Sequence, residues 1–520
     1  MTRTQRLTLI ATILGSAVVF LDGTIVNVAL PAIGHGLGAG LAGQQWVLEA
    51  YMLTMVSLLL VGGSLGDQFG RRRLFVIGLI AFAFTSILCA IAPSEEFLII
   101  ARALQGIAGA LLVPGSLAIV AATFSGAERG KAVGTWTAYT GIATVFGPAG
   151  GGALIGLISW RAIFWINIPL IVPTVVLALH AIEESSDPEA AHGIDVPGVL
   201  LSAVGLAGPV FALIEQPTHG WGDPLVWLPL IGGVASLVTF VVWEGRARRP
   251  MLDLSLFRIR NFAVANGATL ALYGGLGAGL LLAGLYLQQV VGYSAFEAGL
   301  ATMPVSLCIF AFSPHWGRLA SAVGPRLPMT LGPIVAGVGI LLCVRIDTDS
   351  SYLGEVLPAI LVFGLGMSIT VAPLTATVLD SVSERRVGIA SGVNNGVSRV
   401  AALLAIAVVG AIVSAHYGAR LDSDLGARPL SAAAASAVAE AKEQPLGVPD
   451  TGELGPAEAP RIVAASADAS TAAFHLGALF AGCLMILGGI VSVIGLRNPR
   501  RPDPGRGADP AEKLDLAAHG

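Results

Sequence analysis

The chain has 520 residues, 55% of them hydrophobic and 12% charged, with a formal net charge of −4, whereas an ordinary soluble domain carries about a quarter charged residues. At a mean hydropathy of +0.79 the excess apolar mass cannot be hidden in a water-facing globule and must face lipid. The same balance leaves no basic stripe for a phosphate backbone, so nucleic acid is not expected as a partner.

Apolar windows predict spans near residues 7–31, 45–65, 74–93, 97–122, 132–158, 162–182 and 196–214. Seven more follow near 225–243, 262–287, 297–316, 326–344, 355–378, 388–413 and 472–495, each long enough to cross a bilayer as a helix. The expected fold class is therefore all-α integral membrane with fourteen transmembrane helices. The first window is too long for a signal-peptide core and holds Asp22, so it reads as a retained span. Cys89, Cys308, Cys343 and Cys483 lie inside apolar runs without CxxC spacing, which suits small core residues rather than disulfides or a zinc site.

An even number of spans places both termini on one side. With that side inward, 21 of the 29 Lys and Arg fall in cytoplasmic segments, six fall outside, and Arg102 and Arg399 lie within spans. The positive-inside rule then makes both termini cytoplasmic, in the cell membrane.

Internal repetition fixes the grouping. Gly63-Ser-Leu-Gly-Asp67-Gln-Phe-Gly70-Arg71-Arg72 after span 2 matches Gly317-Arg-Leu-Ala-Ser-Ala-Val-Gly324-Pro-Arg326 after span 10, and Pro114 of span 4 echoes Pro373 of span 12. Eight helices separate the matched elements, so spans 7 and 8 are an insertion between two parallel six-helix bundles related by an axis along the membrane normal. The expected domains are residues 1–190, an inserted pair with linker at 191–260, a second bundle at 261–496 and a cytoplasmic tail at 497–520. The stretch 414–470, rich in Ala, Ser and acids, reads as an exterior, partly disordered excursion.

Ionisable groups within spans cost about 2.5–3.5 kcal/mol each on insertion scales and need a partner, a cavity or a purpose. Here they are Asp22, Glu49, Arg102 and Arg399. At a rise of about 1.5 Å per residue, Asp22, Glu49 and Arg102 share a layer roughly 8 Å from the outer edge of the hydrocarbon. Two acids beside one base suit a proton relay; the alternative is a fixed Asp22–Arg102 pair with Glu49 reaching interfacial water. Arg399 lies near the midplane after Asn394 and Asn395, a cluster that is either substrate contact or interhelical glue. Asn27, Trp46, Tyr51 and Tyr139 are further candidates for a substrate cavity between the bundles.

Span 5 carries Gly141, Gly147-Pro148 and Gly151-Gly152, a bent and closely packing helix suited to a hinge or seal. The turn after span 2 sets Asp67 at a helix C-terminus ahead of Arg71, Arg72 and Arg73. An acid is unfavourable there by itself, so Asp67 is expected to pair with a nearby Arg or another helix's N-terminus as a breakable latch framed by Gly63 and Gly70.

Together these motifs resemble the major facilitator superfamily, in its fourteen-span drug:proton antiporter group. The Gly63–Arg73 stretch is similar to the superfamily's turn between helices 2 and 3. Arg102-Ala-Leu-Gln105-Gly106 resembles the helix 4 motif whose arginine is linked to proton transfer. Gly147-Pro148-Ala-Gly-Gly151-Gly152 is similar to the antiporter motif of helix 5, and Leu21-Asp22-Gly-Thr-Ile-Val-Asn27-Val-Ala-Leu-Pro31 to the helix 1 signature of the group. The resemblance implies export of amphipathic, often cationic, drugs in exchange for protons by alternating access, with no cofactor, no metal and no enzymatic activity. It also implies a small-molecule substrate, protons and membrane lipid as the only partners of a monomer. One departure stands out. Some members that take dications carry acids in the second half, whereas spans 10 and 13 of this chain show only the boundary residue Glu297 and no acid in the interior of span 13, so Arg399 suits neutral or anionic compounds instead.

A proton-coupled importer or a narrow metabolite exporter on the same fold is the nearest rival. A membrane sensor or intramembrane enzyme is less favoured, because the eight histidines are mostly scattered at span edges. No Gly-x-x-x-x-Gly-Lys-Ser/Thr motif occurs, which excludes ATP binding of that kind.

Overall fold

Several helix starts carry the side chain that a start needs. Thr2 with Gln5 and Ser294 with Glu297 form capping boxes on α1 (Arg3–Leu37) and α11 (Ala295–Val323), and Ser94, Asp195 and Asp223 cap α4 (Glu95–Thr123), α8 (Val196–His219) and α9 (Pro224–Glu244). The computed structural model describes residues 1–498 except 125, 187–194, 248–249, 251, 383–385, 427–429, 448, 450 and 453. The remaining helices are α2 (Leu41–Phe69), α3 (Arg71–Ala90), α5 (Gly126–Leu157), α6 (Ala162–Trp165), α7 (Asn167–Ala181), α10 (Arg260–Gln289), α12 (Arg326–Leu342), α13 (Leu357–Asp380), α14 (Val387–Leu425), α15 (Ala432–Glu443) and α16 (Ala459–Gly495). Among the described residues there is no strand.

Thirteen described segments are long and apolar enough to cross a membrane, and α2, bent by 50° between Leu59 and Val61, makes the fourteenth. The sixth span is broken into α6 and α7 at Ile166. Large apolar side chains such as Phe84, Ile100, Ile231, Val238 and Ile494 are exposed, which in a membrane is the lipid-facing belt. Cys483 belongs to that exposed surface, so of the four cysteines only Cys89, Cys308 and Cys343 are core residues.

The two groups of six helices pack by the same scheme. In the first, α1 lies on α5 and α7, α2 on α4, and α3 on α4 and α7; in the second, α10 lies on α14 and α16, α11 on α13, and α12 on α13 and α16. That correspondence is what a parallel duplication produces. Across the seam, α5 meets α11 and α2 meets α14, while α8 touches both α2 and α14 and carries α9 outside it.

The face where α1 begins and α16 ends is called here the terminal face, and the opposite one the distal face. The contacts between halves named below lie toward the distal face. Gly152 of α5 abuts the backbone of Ala295 and Phe296, and Gly299 of α11 abuts the Pro148 carbonyl. Gln45 Nε2 donates to the Ile406 carbonyl at 3.2 Å.

The expectation of partial disorder at 414–470 is corrected over the described residues. Helix α14 continues to Leu425, α16 starts at Ala459, and α15 lies between them. Ala434, Val438, Ala441 and Leu446 are buried in the same apolar core as Leu41 and Trp160. Small residues that look polar and weakly structured in composition supply here a thin apolar stripe, Ala434, Val438 and Ala441, on one helical face.

Candidate functional site

Four helices of the first half converge on one carboxylate. Asp22 of α1 and Arg102 of α4 are both fully buried, with Arg102 Nη1 2.5 Å from Asp22 Oδ2. Asp22 Oδ1 accepts from Gln105 Nε2 and Asn167 Nδ2, each at 3.1 Å, and those two amides also donate to Ser86 Oγ at 2.9 and 3.1 Å. Arg102 Nε donates to the Val47 carbonyl at 3.1 Å, and Nη1 also donates to Gln105 Oε1 at 2.6 Å. The guanidinium sits 4.2 Å from the Tyr51 ring centroid and 5.8 Å from that of Phe164, a cation–π cover that excludes water. Arg102 Nη2 has no hydrogen-bond partner among the described residues. An ion pair so enclosed is stabilised only while both members keep their charge.

Glu49 does not join this network, which corrects the picture of two acids beside one base. Both of its carboxylate oxygens are buried without a described partner. The reason is helical phase. At 100° per residue, Glu49 lies about 140–160° around α2 from Thr54 and Tyr51, the side that packs on α4, where Thr54 Oγ1 donates to the Ala103 carbonyl at 2.8 Å. It lies about 40° from Gln45, the residue that reaches the α14 backbone. Equal depth in the bilayer did not imply a shared face.

At the terminal face the turn between α2 and α3 is held by residues on both sides. Asp67 accepts from Arg71 Nε at 2.8 Å. The α3 N-terminus is covered by Glu184, which accepts from the Arg72 and Arg73 amides at 3.0 and 3.2 Å, and the Ser185 carbonyl accepts from the Arg71 amide. Arg72 Nη1 also donates to the Ile182 carbonyl at 3.2 Å. Gly70 holds φ +104°, and a Cβ there would meet the Glu184 carboxylate at 2.7 Å. Gly63 faces Pro114 of α4.

On α5, Gly147 abuts Thr24 and Gly151 abuts Ile25, both on α1, while Gly152 and Pro148 touch α11. One glycine-rich helix thus packs against its own half on one side and the opposite half on the other. A Cβ added at Gly141 would meet nothing within 4 Å, so its conformational freedom is not spent on packing.

Residues 12–406 match the Major Facilitator Superfamily. The chain belongs to this superfamily. It is similar to the Multidrug resistance protein Stp of Mycobacterium tuberculosis, at 36% identity over 426 residues, 82% of this chain and 79% of the relative. It is also similar to the Puromycin resistance protein pur8 of Streptomyces alboniger, at 34% identity over 429 residues, 81% of this chain and 84% of the relative. A crystal structure of a bacterial homolog to the human lysosomal transporter Spinster, inward-facing and unoccupied, shares the fold with a TM-score of 0.65 at 16% identity, covering 96% of this chain and 100% of that one. The family is one of transporters of small molecules, and the protein is a multi-span membrane transporter.

The substrate candidates of this superfamily transporter separate by location. Asn27, with Thr24, Pro148, Gly284, Thr302 and Ser306, lines a cavity of about 110 Å³ between the halves. Tyr51 is buried as the cover of Arg102. Trp46 turns toward the inserted helix α8, donating to Glu215 Oε1 at 2.9 Å, with its ring 5.8 Å from Phe211. Tyr139 lies nine residues before Pro148 and hence about 180° around α5 from it, on an exposed face away from α11. Trp46, Tyr51 and Tyr139 therefore do not converge on one cavity. Asn394 donates to Asn266 Oδ1 at 3.1 Å and Thr269 Oγ1 at 2.8 Å on α10, the interhelical role rather than a free contact. Asn395 is exposed and donates to the Ser391 carbonyl. Arg399 reaches across the seam, with Nη1 3.7 Å from Met55 Sδ and its guanidinium 5.8 Å from the Phe20 ring centroid.

The site is completed by Gln105, named in sequence only as part of the helix 4 motif, and by Ser86, Asn167 and Glu184, which sequence reasoning missed. The first three are hydrogen-bonding side chains inside apolar helices, a weaker signal than charge but one that the cost of an unsatisfied polar group in lipid makes meaningful.

Proposed function

We propose that the protein exports small amphipathic compounds, drugs or antibiotics among them, from the cytoplasm or inner leaflet in exchange for protons, by alternating access of its two halves. The observation that carries this reading is the fully buried Asp22–Arg102 pair and its amide network, beside a glycine-rich α5 that packs against both halves. Relatives that carry drug-resistance names support the substrate class. The proposed domains are residues 1–190 and 261–496, joined through 191–260, with a tail at 497–520. The distribution of Lys and Arg supports cytoplasmic termini in the cell membrane, and the chain is proposed to act as a monomer.

In this reading a proton from outside neutralises Asp22, loosening Arg102, while Glu49 serves as a second proton acceptor on the α14 side of α2. Protonation must differ between the two conformations for coupling to exist. The turn containing Gly63, Asp67, Gly70, Arg71 and Arg72 acts as the latch at the terminal face. Gly147, Pro148, Gly151 and Gly152 let α5 seal the distal face, and Gly141, which packs on no neighbour, leaves the helix free to hinge.

The test is efflux of a fluorescent substrate with and without a proton uncoupler, in wild type and Asp22→Asn. Uncoupler-sensitive efflux in wild type and its loss in the variant are expected. Equal, uncoupler-insensitive efflux in both sinks the proton-coupled reading.

A further inference from the structure

The charge on Arg399 is answered by no carboxylate. Among the described residues it makes no ion pair; it meets the Met55 sulfur and the Phe20 ring and lies near the Tyr51 hydroxyl. Asn395, Arg399, Ile406 and Gly410 fall within about 60° of one another around α14, on the face turned to the first half. The two distal members are closed over by Gln45, which bonds the Ile406 carbonyl and abuts Gly410. The proximal member, Asn395, is exposed. Arg399 therefore sits where the sealed part of the seam ends and its open part begins.

The surroundings of Arg399 leave it available. Asp22 neutralises Arg102 inside the first half, with Tyr51 stacked on the guanidinium, so that pair offers no net charge to the seam. Glu49 faces α14 from α2 but lies beyond ion-pair distance of Arg399. Asn394 is bound to α10. Around the guanidinium are an aromatic ring and a thioether; about one and two turns further along the Phe20 face of α1, Thr24 and Asn27 line a cavity of about 110 Å³ with residues of α5, α10 and α11. An uncompensated guanidinium in apolar surroundings attracts an anion strongly, and its planar fork matches a carboxylate.

Resting on the exporter reading above, we infer that the substrate site takes amphipathic organic anions, an aromatic or aliphatic body bearing one carboxylate or comparable acid, with Arg399 as the counter-charge.

The test uses the full chain, purified and reconstituted, with 1-pyrenebutyrate and its neutral primary amide as probes and quenching of the intrinsic tryptophans as the readout. Wild type is expected to bind the carboxylate about tenfold or more tightly than the amide. Arg399→Gln is expected to reduce carboxylate affinity to that of the amide while leaving the amide unchanged, and Arg399→Lys to retain part of the preference. Equal binding of both probes by wild type overturns the inference and needs no variant, so a misfolded Arg399→Gln leaves the test standing. Equal weakening of both probes by Arg399→Gln, restored by adding Glu49→Gln, also overturns it, because Arg399 is then a partner for Glu49. Carboxylate preference without pH-driven flux in the same vesicles supports the site while overturning the exporter reading.

Discussion

Gly70 and Gly324 hold the same turn 254 residues apart. Their φ values are +104° and +91°, each precedes a helix that opens on or next to an arginine, and each is covered by a polar residue that follows the sixth helix of its half. Glu184 accepts the Arg72 amide, and Asn498 Oδ1 accepts the Arg326 amide. An added Cβ is strained at such φ and would also strike the covering side chain, so Gly70→Ala and Gly324→Ala are each expected to destabilise by about 1–3 kcal/mol. Thermal unfolding in detergent measures this, with Gly66→Ala, where a Cβ meets nothing within 4 Å, as the control. Equal melting of all three variants would remove the argument.

Removing one member of the Asp22–Arg102 pair strands the other. Arg102→Gln and Asp22→Leu are each expected to lower stability by about 3–5 kcal/mol, and the double variant Asp22→Leu/Arg102→Gln to lose clearly less than the sum of the two. A double-mutant cycle on unfolding is the measurement. Additive losses would mean that the pair is not coupled, whatever its distance.

The fourteen spans, the inserted pair and the repeat were legible because lipid demands twenty-residue apolar windows and because a glycine at positive φ tolerates little substitution. The site was legible only by type. Asp22 and Arg102 are conspicuous as charges in oil, yet Asn167, which donates to Asp22, and Ser86, which accepts from Gln105 and Asn167, come from helices whose approach no local pattern encodes. Glu49 shows the limit: depth follows from counting residues, whereas the face a side chain presents depends on which neighbours its helix meets. Trp46 and Tyr139 part from Asn27 for the same reason, since an aromatic side chain serves an exposed helix face or a contact with the inserted helix as readily as a cavity.

Glu49 is buried with neither oxygen bonded to a described group, so amide replacement removes no hydrogen bond or ion pair. Glu49→Gln is expected to fold with a melting temperature at or above that of wild type, unlike Asp22→Leu. It is expected to lose most of the dependence of transport on external pH while still binding substrate. A fall in stability comparable to that of Asp22→Leu would assign Glu49 a structural partner and end its candidacy as a proton acceptor.

The distal seal rests on backbone approach between α5 and α11, because Gly299 meets the Pro148 carbonyl and Gly152 meets Ala295. Side chains there must push the halves apart. Gly299→Val is expected to add about 1–3 kcal/mol of overpacking to the state closed at the distal face, which converts to roughly a five- to 150-fold shift toward the state open there. Gly150→Ala, on the same helix and with nothing within 4 Å of an added Cβ, is the control. A cysteine placed at Thr302, which lines the cavity just behind the seal, reports the change through a membrane-impermeant maleimide once the native cysteines are replaced. Faster labelling in Gly299→Val than in Gly150→Ala is the expected result. Identical rates would mean that the approach of α5 to α11 does not close the transporter, and the glycines of α5 would then need another explanation.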